Sequence, residues 1–293
     1  MKHTAEFQQV VLDYKETRAL NGVSCSLEGG STYGLIGRNG AGKTSLLSLL
    51  ASFRKPTSGR VLIDGKEVFE DAQQMQNVWY GHAWDMSEES DSIELTLKQN
   101  AAYRKDFDLP WALSIVERFG LDPQRPLNKL STGMQSAFHV AEAFASNACF
   151  TIFDEVHHGM DAPSRQLFYD MILEVREQAH RTIILSTHLV SEMAYLFDHV
   201  LILHRGELVA AEPYDSIIER GVTVTGPEGA VNSFTRKYQE IDRKRLGRTV
   251  SVMLYGAPPA DALEQAARSG LEVSPVSLQE LFIHMTKEGR GGA

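Results

Sequence analysis

The residues best placed to do chemistry form one unbroken run, Gly37-Arg38-Asn39-Gly40-Ala41-Gly42-Lys43-Thr44-Ser45. The run fits the phosphate-loop spacing of Gly, four residues, then Gly-Lys-Thr. Phosphate oxygens need several N–H donors converging on one point, so the backbone must fold tightly around the anion. Gly37, Gly40 and Gly42 remove side chains that would block that approach. Lys43 is spaced to neutralise β- and γ-phosphates, and the Thr44 hydroxyl to ligate Mg²⁺. A second run, 148–153, is almost wholly apolar and ends in Asp154-Glu155. An acid at the end of a buried strand beside such a loop can hold Mg²⁺ directly or through water. The acid after it can take a proton from an attacking water. Read alone, the same pair could simply cap a following helix.

Three weaker features follow the same order along the chain. Leu130-Ser131-Thr132-Gly133-Met134-Gln135 precedes a helical pattern, and by itself Ser131 or Thr132 is an ordinary N-cap. Gly159-Met160-Asp161 by itself is a turn. His188 follows the apolar run 183–187, where a lone histidine is more often structural than functional.

The elements that must position these residues are legible from period and punctuation. Residues 32–36 read as a buried strand and 45–50 as the start of a helix, so the loop lies between strand and helix. The helix N-terminus adds free N–H groups and a favourable dipole for an anion. Residues 7–14 and 23–27 read as half-buried strands, 60–65 as a strand and tight turn, and 78–80 as another strand. Residues 90–146 are mainly helical, with breaks at Pro110 and Pro123. Helices over 164–179 and 190–197 flank a strand at 182–187, and 199–205 is a strand ended by Gly206. This alternation predicts an α/β fold with a mainly parallel sheet over residues 1–220, carrying a helical insertion at about 90–146. Residues 221–293 alternate strand and helix three times and predict a small C-terminal α+β appendage. Within it, Arg243, Lys244, Arg245 and Arg248 read as a solvated turn.

Bulk properties narrow the class. A chain of 293 residues that is 43% apolar and 23% charged has the composition of a globular protein. A formal net charge of −9 argues against general nucleic-acid binding. Its two cysteines, Cys25 and Cys149, stand near apolar runs and read as buried thiols in a reducing compartment. No apolar run approaches the roughly 20 residues that span a bilayer, so any membrane role is expected to come through a partner.

Phosphate loop, Leu-Ser-x-Gly, Asp-Glu strand, Gly-x-Asp and strand-Thr-His, in that order, resemble the nucleotide-binding subunit of ABC transporters. The resemblance covers residues 7–220 and implies a P-loop NTPase core that binds ATP with Mg²⁺ and hydrolyses it. It implies that Tyr14 stacks on adenine, and that residues 37–45 hold the phosphates. It gives Ser131, Thr132 and Gly133 to the γ-phosphate held by a second subunit. It makes Asp154 the Mg²⁺-associated acid, Glu155 the catalytic base, Asp161 the aspartate that communicates across the dimer and His188 the sensor of the γ-phosphate. The implied partners are a membrane-spanning permease subunit and a second ATPase, as homodimer or heterodimer, with the chain at the inner face of the membrane.

The chain departs from the family pattern in three places. The signature reads Leu-Ser-Thr-Gly-Met, a form similar to that of exporter subunits whose membrane part is a separate chain. Val156-His157-His158 stands where Pro-Thr is usual. The glutamine that normally follows the strand at 78–80 is missing, and Asp85 is the candidate substitute, as a metal or water contact, with Glu88 and Glu89 as competitors. Trp79, Trp84 and Trp111 share this span and are candidates for contact with the permease. The tail at 276–283 looks like that of ATPases serving exporters of drugs, lipids or antimicrobial peptides. Two alternatives remain open on the residues alone: an ABC ATPase with no transporter, and a regulator that binds ATP as a switch.

Overall fold

The computed structural model describes residues 3–82, 86–176, 181–256 and 258–287. The chain folds as two compact units. One comprises residues 1–189 and 195–211, the other 190–194 and 212–293.

The first unit is built on two sheets. Strands Thr32–Ile36, Phe150–Asp154 and Thr182–Thr187 are buried along their whole length, which is the pattern of strands covered on both faces. They lie at the centre of a sheet in the order Glu207–Pro213, His199–His204, Thr32–Ile36, Thr182–Thr187, Phe150–Asp154, Val78–His82. The last five strands pair in parallel. Parallel pairing brings their carboxyl ends to one edge, where ligands of open α/β sheets bind. The register puts Asp154 opposite Ser186 on one side and His82 on the other. The second sheet runs Thr17–Glu28, Thr4–Tyr14, Ser58–Ile63, Lys66–Glu67, all antiparallel. Its apolar face packs with helix Lys43–Leu50 and the parallel sheet in one core, through residues such as Phe7, Leu20, Leu46, Leu49, Phe150 and Ile184.

The helical insertion is capped as its sequence requires. Ser92 accepts from Leu95 N at the head of helix Ile93–Tyr103, and Asp108 accepts from Trp111 N at the head of Leu109–Arg118. Pro110 therefore opens this helix instead of breaking one. Helix Thr132–Ala145 is buried from Ser136 onward. Trp79 and Trp111 are half-buried and packed against neighbours of their own chain. Trp111 stacks on Phe144 with Arg181 over its ring, and Arg104 covers Trp79; Trp84 falls outside the described residues. Among the described residues no helix is long and apolar enough to cross a membrane.

The second unit is a four-stranded antiparallel sheet in the order Gln239–Leu246, Thr249–Tyr255, Gly221–Pro227, Glu272–Pro275. Val222, Val224, Val231, Val250, Val252, Leu254 and Leu271 form its core. Three expectations change here. Arg243, Lys244 and Arg245 lie on an edge strand, and only Arg248 stands in the turn that follows it. Arg243 binds Glu240 and Asn232, Arg245 binds Glu228, and Lys244 binds Glu280. The compact unit also begins before 221, at Glu212 and with residues 190–194 added. An Arg220–Glu212 ion pair and a bond from Gly256 N to Arg220 O tie this stretch to the unit. The predicted helix over 190–197 is a single short turn, Val190–Met193, followed by a 3₁₀ turn.

Candidate functional site

The phosphate loop is shaped by what surrounds its glycines. Gly42 has φ +107°, and a Cβ there would lie 2.7 Å from Ala19 O. A Cβ on Gly37 would lie 2.7 Å from Leu203 O. Backbone fills both places, so only glycine fits without moving a neighbouring strand. The loop closes through Ala41 N to Arg38 O at 3.0 Å and hands over to the helix through Leu46 N to Gly42 O at 2.9 Å. Its cleft, about 480 Å³, is lined by Tyr14, Thr17, Arg18, Ala19, residues 38–45 and Glu155. Tyr14 stands at the rim, its hydroxyl 3.3 Å from Ser45 Oγ, with the Arg54 guanidinium 4.7 Å over one ring face.

Lys43 is only 7% exposed. Its Nζ donates to Gly37 O at 2.8 Å and lies 3.5 Å from Glu155 Oε1. A buried cation held beside a glycine-lined loop is the arrangement an oligophosphate requires.

Asp154 ends its strand 8% exposed. Its Oδ2 accepts from the Tyr80 hydroxyl at 2.9 Å. Its Oδ1 is buried with no hydrogen-bond partner among the described residues, and so is Ser186 Oγ beside it. An unsatisfied buried carboxylate oxygen is expensive unless something outside the chain meets it. A hard divalent cation meets that need with oxygen ligands, so these residues fit Mg²⁺, and the exposed Thr44 hydroxyl lines the phosphate-loop cleft together with Glu155, the next residue. Burial and the Asp154 charge together push the Tyr80 phenol well above its ordinary range.

Glu155 sits just past the strand at φ +54°, unusual for a residue with a side chain. Its N–H donates to Ser186 O at 3.1 Å, which holds this conformation against the neighbouring strand. Its two oxygens face different partners. Oε1 faces Lys43, and Oε2 lies 2.9 Å from His188 Nδ1, 3.4 Å from His158 Nε2 and 3.6 Å from His157 Nε2. His157 is buried, and burial with two neighbouring histidines lowers its pKa to about 4, so it is neutral at physiological pH. Asp154 and Glu155 therefore do not cap the following helix. Asp161 does, accepting from Ser164 N at 2.9 Å, and these bonds hold its carboxyl below the usual range.

Ser131 caps helix Thr132–Ala145 by accepting from Met134 N at 3.4 Å. A Cβ on Gly133 would lie 2.5 Å from Gly159 O, so the signature backbone and the 159–161 turn press together. Ser131, Gly133, Gly159 and Asp161 line a second cleft that shares no residue with the phosphate-loop cleft. The parallel sheet thus brings Lys43, Asp154, Glu155 and His188 together, while residues 131–133 and Asp161 stand apart from them. Asp85 lies outside the described residues. Sequence reasoning passed over Tyr80, His157 and His158. The double histidine was visible as a departure from the family pattern. Tyr80 had no signal beyond lying on the strand next to the acids.

Residues 20–158 match the family model for the ABC transporter. Over 220 residues the chain is 27% identical to the ABC transporter ATP-binding protein NatA of Bacillus subtilis, covering 70% of this chain and 86% of that one. It is 26% identical to the bacitracin transport ATP-binding protein BcrA of Bacillus licheniformis, covering 71% and 69% respectively. It is 27% identical to the glycine betaine/carnitine transport ATP-binding protein GbuA of Listeria monocytogenes, covering 82% and 62%. The fold is similar to a dimeric ATP-binding cassette in a post-hydrolysis state with ADP and Pi, at TM-score 0.63, 19% identity and coverage of 72% and 98%. It is also similar to a bacterial Atm1-family ABC exporter with ATP bound, at TM-score 0.63, 23% identity and coverage of 75% and 40%.

Proposed function

This chain belongs to the ABC transporter family as an ATP-binding, ATP-hydrolysing subunit, and from that premise we propose that it works as half of an ATP-sandwich dimer driving a separate membrane permease. The observation that carries the dimer is the separation of the two clefts. The signature residues 131–133 share no cleft with the phosphate loop of their own chain. A signature that is to touch the γ-phosphate must therefore meet the nucleotide of another subunit.

Within one site the chain's own residues divide the work. The loop N–H groups and Lys43 bind the phosphates, and Tyr14, which lines the same cleft, would stack on adenine. Thr44 and Asp154 would hold Mg²⁺, which when bound supplies charge that offsets the phosphates. Glu155 accepts the proton of the attacking water at a carboxylate oxygen. Lys43 must leave Glu155 Oε1 to reach the phosphates, which frees the base as the nucleotide arrives. His188, 2.9 Å from Glu155 Oε2, orients the carboxylate. Asp161, beside Gly133 in the second cleft, would carry the state of one site to the other.

The Leu-Ser-Thr-Gly-Met signature supports an exporter of drug, lipid or antimicrobial peptide, with the chain held at the inner face of the membrane by its permease; the relatives BcrA and GbuA are alike in identity and do not decide the direction.

The test is Glu155→Gln, which keeps the shape but cannot take the proton. Phosphate release should fall by about 10²- to 10⁴-fold, while ATP still binds. With ATP and Mg²⁺ the variant should run as a dimer in size-exclusion chromatography with light scattering, and with ADP as a monomer. Wild-type turnover in the variant would remove Glu155 as the base. An inactive variant that stays monomeric with ATP would mean that the second half of the sandwich is a different chain.

A further inference from the structure

Three histidines surround the base, although proton abstraction from water needs one carboxylate and at most one residue to orient it. Glu155 Oε2 is the common point of the cluster: His188 Nδ1 at 2.9 Å, His158 Nε2 at 3.4 Å and His157 Nε2 at 3.6 Å. Ligand atoms of Glu155, His158 and His188 all lie within 4.8 Å of one another. We propose that Glu155, His158 and His188 form a binding site for a zinc-class divalent cation, and that occupation of this site stops ATP hydrolysis. The inhibition rests on Glu155 being the catalytic base; the binding does not.

The spacing suits the ion. Zinc binds imidazole nitrogen and carboxylate oxygen at about 2.0–2.2 Å in a tetrahedron, so neighbouring ligand atoms stand roughly 3.4 Å apart. The two contacts to Glu155 Oε2, 2.9 Å and 3.4 Å, already bracket that spacing on its short side. The shorter contact opens by about half an ångström as the ion enters, and all three ligand atoms already lie within 4.8 Å of one another. Their rings meet edge to face, with centroids 4.8 Å apart and planes at 78°.

The scaffold holds the three ligands before any ion arrives. His158 N donates to Glu155 O at 2.9 Å, closing one turn that presents both side chains. Glu155 N donates to Ser186 O, which fixes that turn to the strand leading to His188. Solvent reaches the site directly, because His158 is 55% and His188 40% exposed. Two imidazoles and one carboxylate make a donor set that suits zinc, nickel or copper, whereas magnesium prefers oxygen alone. The site therefore discriminates against the ion that accompanies ATP. Three protein ligands leave a fourth position for water, as in open zinc sites.

Inhibition follows from which atoms are used. Zinc on Oε2 draws negative charge from the whole carboxylate, so Oε1, the oxygen that Lys43 frees, becomes a weaker base, and a ring nitrogen of His188 bound to zinc no longer orients that carboxylate. The chain would stay in its nucleotide-free arrangement or hold ATP unhydrolysed.

The experiment titrates ZnCl₂ into the full nucleotide-free chain by calorimetry, with Co²⁺ absorption as a second readout of tetrahedral coordination. The expected result is one ion per chain. His158→Ala should weaken binding by at least about 10-fold, since even loss of an outer-shell partner has that effect. His158 has no part in the hydrolysis described above, so the variant should keep its Mg²⁺-dependent turnover and lose sensitivity to zinc added under excess Mg²⁺ and ATP. Zinc binding of equal strength in wild type, His158→Ala and Glu155→Gln would overturn the site. Equal zinc inhibition of wild type and His158→Ala would overturn it as well. A wild-type chain that binds zinc through these residues yet shows no turnover without zinc would leave the site standing and remove the ATPase mechanism.

Discussion

The cleft under the phosphate loop is lined with charge: Lys43, Arg18, Arg38 and Glu155 face it. The cleft at the signature has no cation among its lining residues. It offers Ser131, Gly133, Gly159, Ser164 and apolar side chains, and its one carboxylate, Asp161, is engaged in capping a helix. The first cleft can hold an oligophosphate by itself, because it supplies converging N–H groups and a buried counter-charge. The second can supply only hydroxyl and backbone contacts, each worth about 0.5–1.5 kcal/mol net. It can complete a site that another surface has already built. On the proposed function, the difference assigns occupancy to the first cleft and completion of a partner's site to the second.

The largest effect expected from this comparison is that of Lys43→Ala. Two charge-assisted bonds to phosphate at about 1.5–3 kcal/mol each would be lost. Glu155 would also lose the ammonium 3.5 Å from its Oε1 and stand unopposed beside the phosphates. ATP affinity measured by calorimetry should fall about 100-fold or more. Wild-type affinity would show that the charged cleft is not where the nucleotide is held.

Gly133→Ala tests the other cleft. Its Cβ would press on Gly159 O at 2.5 Å, so the signature and the 159–161 turn must separate. Overpacking of this kind costs roughly 1–3 kcal/mol, and turnover should drop about 10-fold or more. ATP affinity of the isolated chain should stay within about twofold of wild type, because no contact in the first cleft changes. A parallel loss of affinity and turnover would break the separation drawn between the two clefts.

How much of this was legible in the sequence depends on whether a feature is local. The phosphate loop and the acidic strand end were, because a nine-residue run and a six-residue run carry their own geometry. The parallel core was, because strands buried on both faces read as continuous apolar runs. The strand Gln239–Leu246 was not. It is an edge strand, exposed along almost its whole length, so the alternation that marks a half-buried strand is missing, and charge protects it from pairing with other chains. The start of the second unit was not legible either, since the Arg220–Glu212 pair and the Gly256–Arg220 bond that tie it in are tertiary. Tyr80 escaped for the same reason: its bond to Asp154 exists only once the two strands are in register.

The smallest effect expected, and the sharpest test of the acid next to Glu155, belongs to Tyr80→Phe. The phenol fixes Asp154 by donating to Oδ2, which leaves Oδ1 as the buried oxygen without a partner among the described residues. Removing the hydroxyl keeps the ring and its edge-to-face contact with Phe53, whose centroid is 5.3 Å away. Asp154 would then have two buried oxygens to satisfy and one fewer contact to hold its rotamer. A hydrogen bond to a charged group is worth about 1.5–3 kcal/mol, but a metal ion held by the freed carboxylate would recover part of that. Turnover should therefore fall only several-fold, and more Mg²⁺ should be needed to reach half of the maximum. A residue with a purely structural role would lower the melting temperature and leave the Mg²⁺ dependence where it was. A Tyr80→Phe chain whose turnover rises with Mg²⁺ along the wild-type curve would separate Tyr80 from the metal acid. Signature variants such as Gly133→Ala should leave that curve unmoved in either case, because nothing in their cleft touches Asp154.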